Sequence, residues 1–198
     1  AFRKAPDQKP LATASGKIEI TSRTIASFAE TQILPHPAWY EPVEWLGAAT
    51  DALPFHLISG QPAEKLHSQL DHGRISRMAK LNGRASLGIH PTDASRLGLS
   101  NNDCVRVYNA RGACLATAVL DPGLLPGVVR MSTGAWLDAV EQNDGTLLCR
   151  HGNPNLVTRD AGTSELAQGP VAHSCLVALE RNDANPAIEA FFPPIIQT

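Results

Sequence analysis

The chain has 198 residues, a formal net charge of −2, 43% hydrophobic and 18% charged residues, a globular balance that excludes a disordered or low-complexity protein. That length suits one domain with a packed core and an arm at either end, and the near-neutral charge excludes a duplex-DNA binder driven by a strongly basic face. Fifteen glycines and fifteen prolines exclude a protein of long helices, and no apolar run reaches the ~18 residues of a membrane span.

In chain order, residues 1–16 are polar and proline-bearing, and the opening AFRKAPDQKPL reads as mid-chain text, the expectation for a fragment of a longer protein. Lys17-Ile18-Glu19-Ile20-Thr21 alternates polar with apolar residues and predicts a half-buried strand. Pro35, Pro37 and Pro42 then forbid a continuous helix and predict an extended strap. Phe55–Ser59 is a short apolar run predicting a buried strand, stopped at Gly60-Gln61-Pro62. Pro91 and Thr92 open a short helix, Asp93 suits its positive end and Gly98 closes it. Cys104–Tyr108 and Ala113–Leu120 predict two strands of a hairpin turning at Asn109–Gly112. Val128–Ser132 and Cys175–Leu179 supply two further strands. Short strands, one brief helix and glycine-bearing turns predict a small barrel.

Between positions 61 and 84, Lys65, Arg74, Arg77, Lys80 and Arg84 face only Glu64 and Asp71. The local excess of five cations over two acids suggests either a negatively charged partner or a solvated surface loop. Cys104, Cys114, Cys149 and Cys175 lack metal-ligand spacing and read as small buried hydrophobes. There is no GxSxG, HExxH or GxxxxGK[ST] motif, and His67 and His72 are five apart, wrong for one helical face, which argues against a stand-alone hydrolase.

Several runs together resemble one family. Leu57-Ile58-Ser59, Lys65-Leu66-His67-Ser68-Gln69-Leu70, Gly134-Ala135-Trp136, His151-Gly152-Asn153-Pro154-Asn155 and Gly162-Thr163-Ser164-Glu165-Leu166-Ala167-Gln168-Gly169 follow in the order found in the dimethyl sulfoxide reductase family. The likeness is greatest to its trimethylamine N-oxide, dimethyl sulfoxide and biotin sulfoxide reductase branch and spans roughly residues 10–180. It implies a mainly β fold, a double-psi β-barrel of the aspartate-decarboxylase-like type with short helices and an extended N-terminal arm. Residues 1–50 would be an arm and strap from the preceding domain, 51–182 the barrel and 183–198 a tail.

The same resemblance implies a C-terminal domain that covers bis-molybdopterin guanine dinucleotide with molybdenum, in an enzyme that reduces S-oxides or N-oxides. Partners would be the upstream domains, a small-molecule oxide and an electron-donor protein, in the bacterial periplasm or cytoplasm. The metal's protein ligand belongs to an upstream domain, so this chain carries no catalytic residue and is expected to be inactive and cofactor-free alone. A pterin edge needs neutral donors and acceptors, and the matched positions are Ser59, Gln61, His67, Ser68, Gln69, Asn153, Asn155 and Gln168, with Lys65 offered to the pyrophosphate. Trp136 would pack near the cofactor, and His36, His56, His90 and His173 would be structural. Three departures bear on the substrate: Ser59-Gly60-Gln61-Pro62 stands for Ser-Pro-His-Pro, Ser132-Thr133 for His-Glu, and Glu165 for Gln. The alternative is a non-catalytic β-barrel that docks a protein partner.

Overall fold

A computed structural model describes residues 1–28 and 31–189, so the part of the expected tail beyond 189 lies outside the described residues. Two compact units divide the chain: Ala1–Glu41 with Gly162–Gly169, and Pro42–Ala161 with the segment from Pro170.

The smaller unit is mostly irregular. Its one α-helix, α1 (Arg23–Ala26), is capped by Ser22, whose hydroxyl accepts from the Ile25 amide at 3.2 Å. Glu165 holds the 162–169 segment by accepting from the Gln32 amide at 3.0 Å and from the Thr31 hydroxyl. The strand expected at Lys17–Thr21 does not form. Ile18 and Ile20 are exposed and find no ladder partner among the described residues, and alternation without a neighbouring strand cannot satisfy the backbone.

The larger unit is the expected barrel. Its strands are β1 (Phe55–Gly60), β2 (Ser86–Ile89), β3 (Cys104–Asn109), β4 (Gly112–Leu120), β5 (Val128–Ser132), β6 (Ala139–Glu141), β7 (Leu147–Cys149) and β8 (Cys175–Arg181). Six of them run in the order β2-β5-β1-β8-β3-β4, and a β2–β4 pairing closes the ring. The two parallel pairings, β1 with β5 and β2 with β4, require crossover connections and give the barrel its double-psi character. β4 is long enough to serve two neighbours on one edge: Ala113 and Cys114 pair with β7, then Thr117–Leu120 with β2. β6 pairs with β7 outside the ring.

Local chemistry explains the elements. β3 alternates buried and half-buried residues, while β4 is buried on both faces over Gly112–Ala118 and so reads as a continuous run of small and apolar residues. At the β3–β4 turn the Asn109 carbonyl oxygen accepts from the Arg111 amide at 3.0 Å. The Asn109 amide donates to the carbonyls of Val157 (2.8 Å) and Leu176 (3.0 Å), joining the hairpin to β8. Two further α-helices are α2 (Arg74–Met78) and α3 (Pro91–Arg96). In α3 His90 caps the Thr92 amide, and the buried Asp93 accepts from the Gly127 amide at 2.7 Å, tying the helix to the turn before β5. Glu44 accepts two bonds from Arg111 (2.7 and 2.9 Å) and one from the Leu176 amide (2.7 Å), fastening the strap to β8. Burial raises the Glu44 carboxyl, but those donors outweigh it and hold the group below its ordinary value.

The core fills the ring with Leu57, Leu87, Ile89, Val105, Val107, Val129, Met131 and Val177, all buried. Cys114, Cys149 and Cys175 are buried thiols as expected, and Cys104 is half-buried. Burial pushes the Cys175 thiol up to about 11, so it stays protonated and unreactive at neutral pH.

Leu57 is fully buried at the centre of β1, so Leu57→Ala should cost about 2–5 kcal/mol of stability. A shift of the urea midpoint with unchanged slope is the expected readout.

Candidate functional site

The parallel strands β1 and β5 end side by side, with Gly60 opposite Ser132 and the Thr133 amide donating to the Gly60 carbonyl at 2.9 Å. Their carboxyl ends open on a concavity of roughly 340 Å³. Ser59, Gln61, His67, Ser68 and Asn155 line it, together with Thr133, Gly134 and His173. Five of the nine residues predicted from the sequence therefore share one hollow.

Gln61 and His67 form a clasp. The His67 amide donates to Gln61 Oε1 at 3.2 Å, which fixes the orientation of the carboxamide, and Gln61 Nε2 lies 2.8 Å from His67 Nδ1. An amide NH2 only donates, so Nδ1 accepts and the ring proton of the neutral imidazole sits on Nε2. His67 thus offers an N–H donor. The Ser59 hydroxyl, only 3% exposed, and the Thr133 hydroxyl have no hydrogen-bond partner. Leaving a buried polar group unsatisfied costs about 1–3 kcal/mol. Two such groups on one concave wall mark a surface built to meet a polar ligand.

The other predicted residues lie elsewhere. The Lys65 ammonium is buried 3.1 Å from Asp71 and 3.5 Å from Glu64, so its charge is already matched. Gln69 is exposed and does not line the hollow. Asn153 accepts from the Asn155 amide at 3.0 Å and caps the 3-10 turn Pro154–Leu156, which presents Asn155. Gln168 belongs to the smaller unit, where its side chain donates to the Ser164 carbonyl at 3.1 Å.

Sequence reasoning missed the group that shapes the wall. Asp71 is fully buried and takes the Lys80 ammonium at 2.8 Å, Lys65 at 3.1 Å and the Trp136 amide at 2.8 Å. Trp136 in turn donates its indole N–H to the Ser68 carbonyl at 2.8 Å, and its ring lies 4.7 Å from that of His72. One carboxylate therefore locks the 61–73 loop onto the 134–136 loop. Burial by itself raises the Asp71 carboxyl, but Lys80, the Trp136 amide and Lys65 outweigh it and hold the group below its ordinary value. Burial lowers the His151 imidazole, which is neutral with its Nδ1 2.9 Å from the Trp136 carbonyl. The signal for Asp71 was available: it is one of only two acids inside the basic segment.

The basic excess is largely spent internally. Lys65 and Lys80 neutralise Asp71, and Arg84 donates to the Arg150 carbonyl (2.8 Å), Asn185 (2.7 Å) and the Pro186 carbonyl.

Gly134 completes the wall. Its φ of +84° favours glycine, and a Cβ there would stand 1.8 Å from the His67 carbonyl oxygen.

Comparison with known proteins places this geometry in context. Residues 55–176 match the family described as "Molydopterin dinucleotide binding domain". The chain is 45% identical over 193 residues to a biotin sulfoxide reductase of Cereibacter sphaeroides, covering 96% of this chain and 25% of that protein. It is 45% identical over 184 residues to a trimethylamine-N-oxide reductase of Salmonella typhi, covering 91% and 22%, and 44% identical, with the same coverage, to trimethylamine-N-oxide reductase 1 of Escherichia coli K12. The chain spans about a quarter of the length of these relatives. Acetylene hydratase from Pelobacter acetylenicus shares the fold at a TM-score of 0.69 and 20% identity, over 90% of this chain and 25% of that one.

Two outcomes follow from the wall's construction. Gly134→Ala should displace the His67–Ser68 backbone and lower stability by more than ~1 kcal/mol, read as a lower thermal midpoint together with a shifted His67 ring resonance. Because the folded-state Asp71 carboxyl sits below its ordinary 3.8, its stabilisation is present above that value and is lost as pH falls through the folded-state value. The stability gap between the native chain and Asp71→Asn, about 3–5 kcal/mol at pH 7, should therefore shrink below pH ~4 in urea titrations.

Proposed function

The chain belongs to the molybdopterin dinucleotide-binding domain family, and from that premise we propose that it holds the pterin part of a molybdopterin guanine dinucleotide cofactor within a longer S-oxide or N-oxide reductase. When bound, that cofactor supplies the oxygen-atom transfer at molybdenum. The observation that carries the reading is the pair of unpartnered hydroxyls, Ser59 and Thr133, on the same wall as the Gln61–His67 clasp.

The residues suit such a group. A pterin edge presents ring nitrogens and a carbonyl, so it is met by neutral groups rather than by charges. The His67 Nε2–H is a fixed donor, the Ser59 and Thr133 hydroxyls can each donate or accept, and the Asn155 amide offers both functions. Pairing of the two hydroxyls on binding relieves a standing desolvation penalty, which adds to affinity. Asp71, with Lys65 and Lys80, keeps the loops in register without placing a net charge on the wall. Lys65 then acts on the 61–73 loop in place of the pyrophosphate. The barrel wall also excludes water from the side of the cofactor that it covers. Biotin sulfoxide and trimethylamine N-oxide, named for the relatives, define the oxide class: a small polar molecule whose S–O or N–O bond is cleaved. The partners of this chain are the other domains of the enzyme and an electron-donor protein.

Three measurements test the reading. In the full-length enzyme His67→Ala should weaken cofactor retention roughly tenfold, the equivalent of about 1.4 kcal/mol, and an unchanged molybdenum content by elemental analysis would refute it. Ser59→Ala should stabilise the cofactor-free chain by up to about 1 kcal/mol, because it removes an unsatisfied hydroxyl, yet lower molybdenum content in the full-length enzyme. Loss of stability in both would instead mark Ser59 as a packing residue. The 198-residue chain alone should show no oxide reduction with a reduced viologen, and turnover would overturn its assignment as a cofactor-holding part.

A further inference from the structure

We infer that the outer face of the segment from Leu66 to Met78 is the surface on which the remainder of the same enzyme docks, through an apolar face that carries carboxylates. The inference rests on the reading above, that this chain is one part of a longer reductase.

Four large apolar side chains lie exposed in this short stretch: Leu66 at 60%, Leu70 at 69%, Ile75 at 55% and Met78 at 71%. Single exposed hydrophobes are ordinary, whereas a cluster of this kind marks an interface. The stretch is not a slack loop. Its underside is pinned by the buried Asp71 to Lys65, Lys80 and the Trp136 amide, and Ser76 of α2 is buried. Two of its non-glycine residues, His67 (φ 49°) and Leu70 (φ 57°), hold left-handed backbone conformations, which persist only where surrounding structure enforces them. At Leu70 the enforced conformation serves to present an exposed leucine.

The charges define the partner's chemistry. Within this basic segment Lys65, Lys80 and Arg84 are all matched inside the domain. Arg74 and Arg77 are the exception: among the described residues neither joins an ion pair, and Arg74 meets only the Met78 sulfur at 3.8 Å. Two unmatched guanidiniums beside four exposed apolar side chains call for a partner surface of apolar residues interspersed with Asp or Glu. The relatives are about four times as long as this chain, so most of the polypeptide of such an enzyme lies outside this structure. A part of the same chain also arrives at high effective concentration, which suits a patch of modest size.

The two methionines of this chain make the test internal. Met131 is 1% exposed in the barrel core, and Met78 is 71% exposed here. In the full-length holoenzyme, oxidation by dilute peroxide, followed by peptide mass spectrometry, should modify Met78 as slowly as Met131. The double variant Leu70→Asp with Arg77→Glu should raise Met78 oxidation at least tenfold and leave Met131 unchanged, the latter showing that the barrel is intact. Rapid oxidation of Met78 in the unaltered monomeric holoenzyme would overturn the inference. So would protection that disappears on dilution, which would mean a second copy, or protection that appears only when a separate electron-donor protein is added. The same measurement on full-length enzyme produced without molybdate separates the two readings. Met78 protection there supports docking whatever the cofactor does, and its loss there assigns the cover to the cofactor and overturns the inference.

Discussion

A single buried carboxylate, that of Asp71, holds together everything this domain presents on its concave side. It lies under a loop that would otherwise be free to move, and it takes the ammonium groups of Lys65 and Lys80 and the backbone amide of Trp136. Removing such a charge from water is costly, and only this dense set of donors keeps it ionised. The arrangement is accordingly all-or-none. While Asp71 is paired, the 61–73 loop, the indole of Trp136 and the backbone beside Gly134 share one register.

The barrel supplies the other half of the constraint. Closure through β2 and β4 removes the open sheet edges, and the parallel pairing of β1 with β5 brings two strand ends to one point. Ligand sites gather where parallel strands end, because the backbone there diverges and leaves room for side chains from several loops. Ser59 and Thr133 sit at that divergence with hydroxyls that find no partner in the protein. Their cost in the free domain is the counterpart of their use in the bound one.

Charge is where linear reading and folded structure part most clearly. As text, residues 61–84 are a basic segment suited to an anion. In the fold, three of the five cations turn inward to Asp71 or to backbone carbonyls, and the neutral groups between them face the hollow. Glu165 shows the reverse case. A carboxylate that looked out of place beside an anionic ligand is engaged with Thr31 and the Gln32 amide of its own unit.

From the amino-acid order alone one could read the barrel's class, five of its eight strands, the helix opened by Pro91, the buried thiols and the Ser59–His67–Asn155 set of neutral donors. All of these depend on local period, turn chemistry or short motifs that survive in one dimension. Other features did not survive. β2 was hidden because Ser86-Leu87-Gly88-Ile89 is short and glycine-bearing, and it becomes a strand only by pairing with both β4 and β5. β6 and β7 are three-residue strands that exist only because the end of β4 offers an edge. Lys17–Thr21 had the right alternation and no neighbour to pair with. The pairing of Asp71 with lysines nine residues downstream and six upstream, and the match of Ser59 with Thr133 across β1 and β5, were likewise decided by tertiary structure. Hydrogen-bond partners and burial are properties of what lies alongside in space, and sequence order records only what lies alongside in the chain.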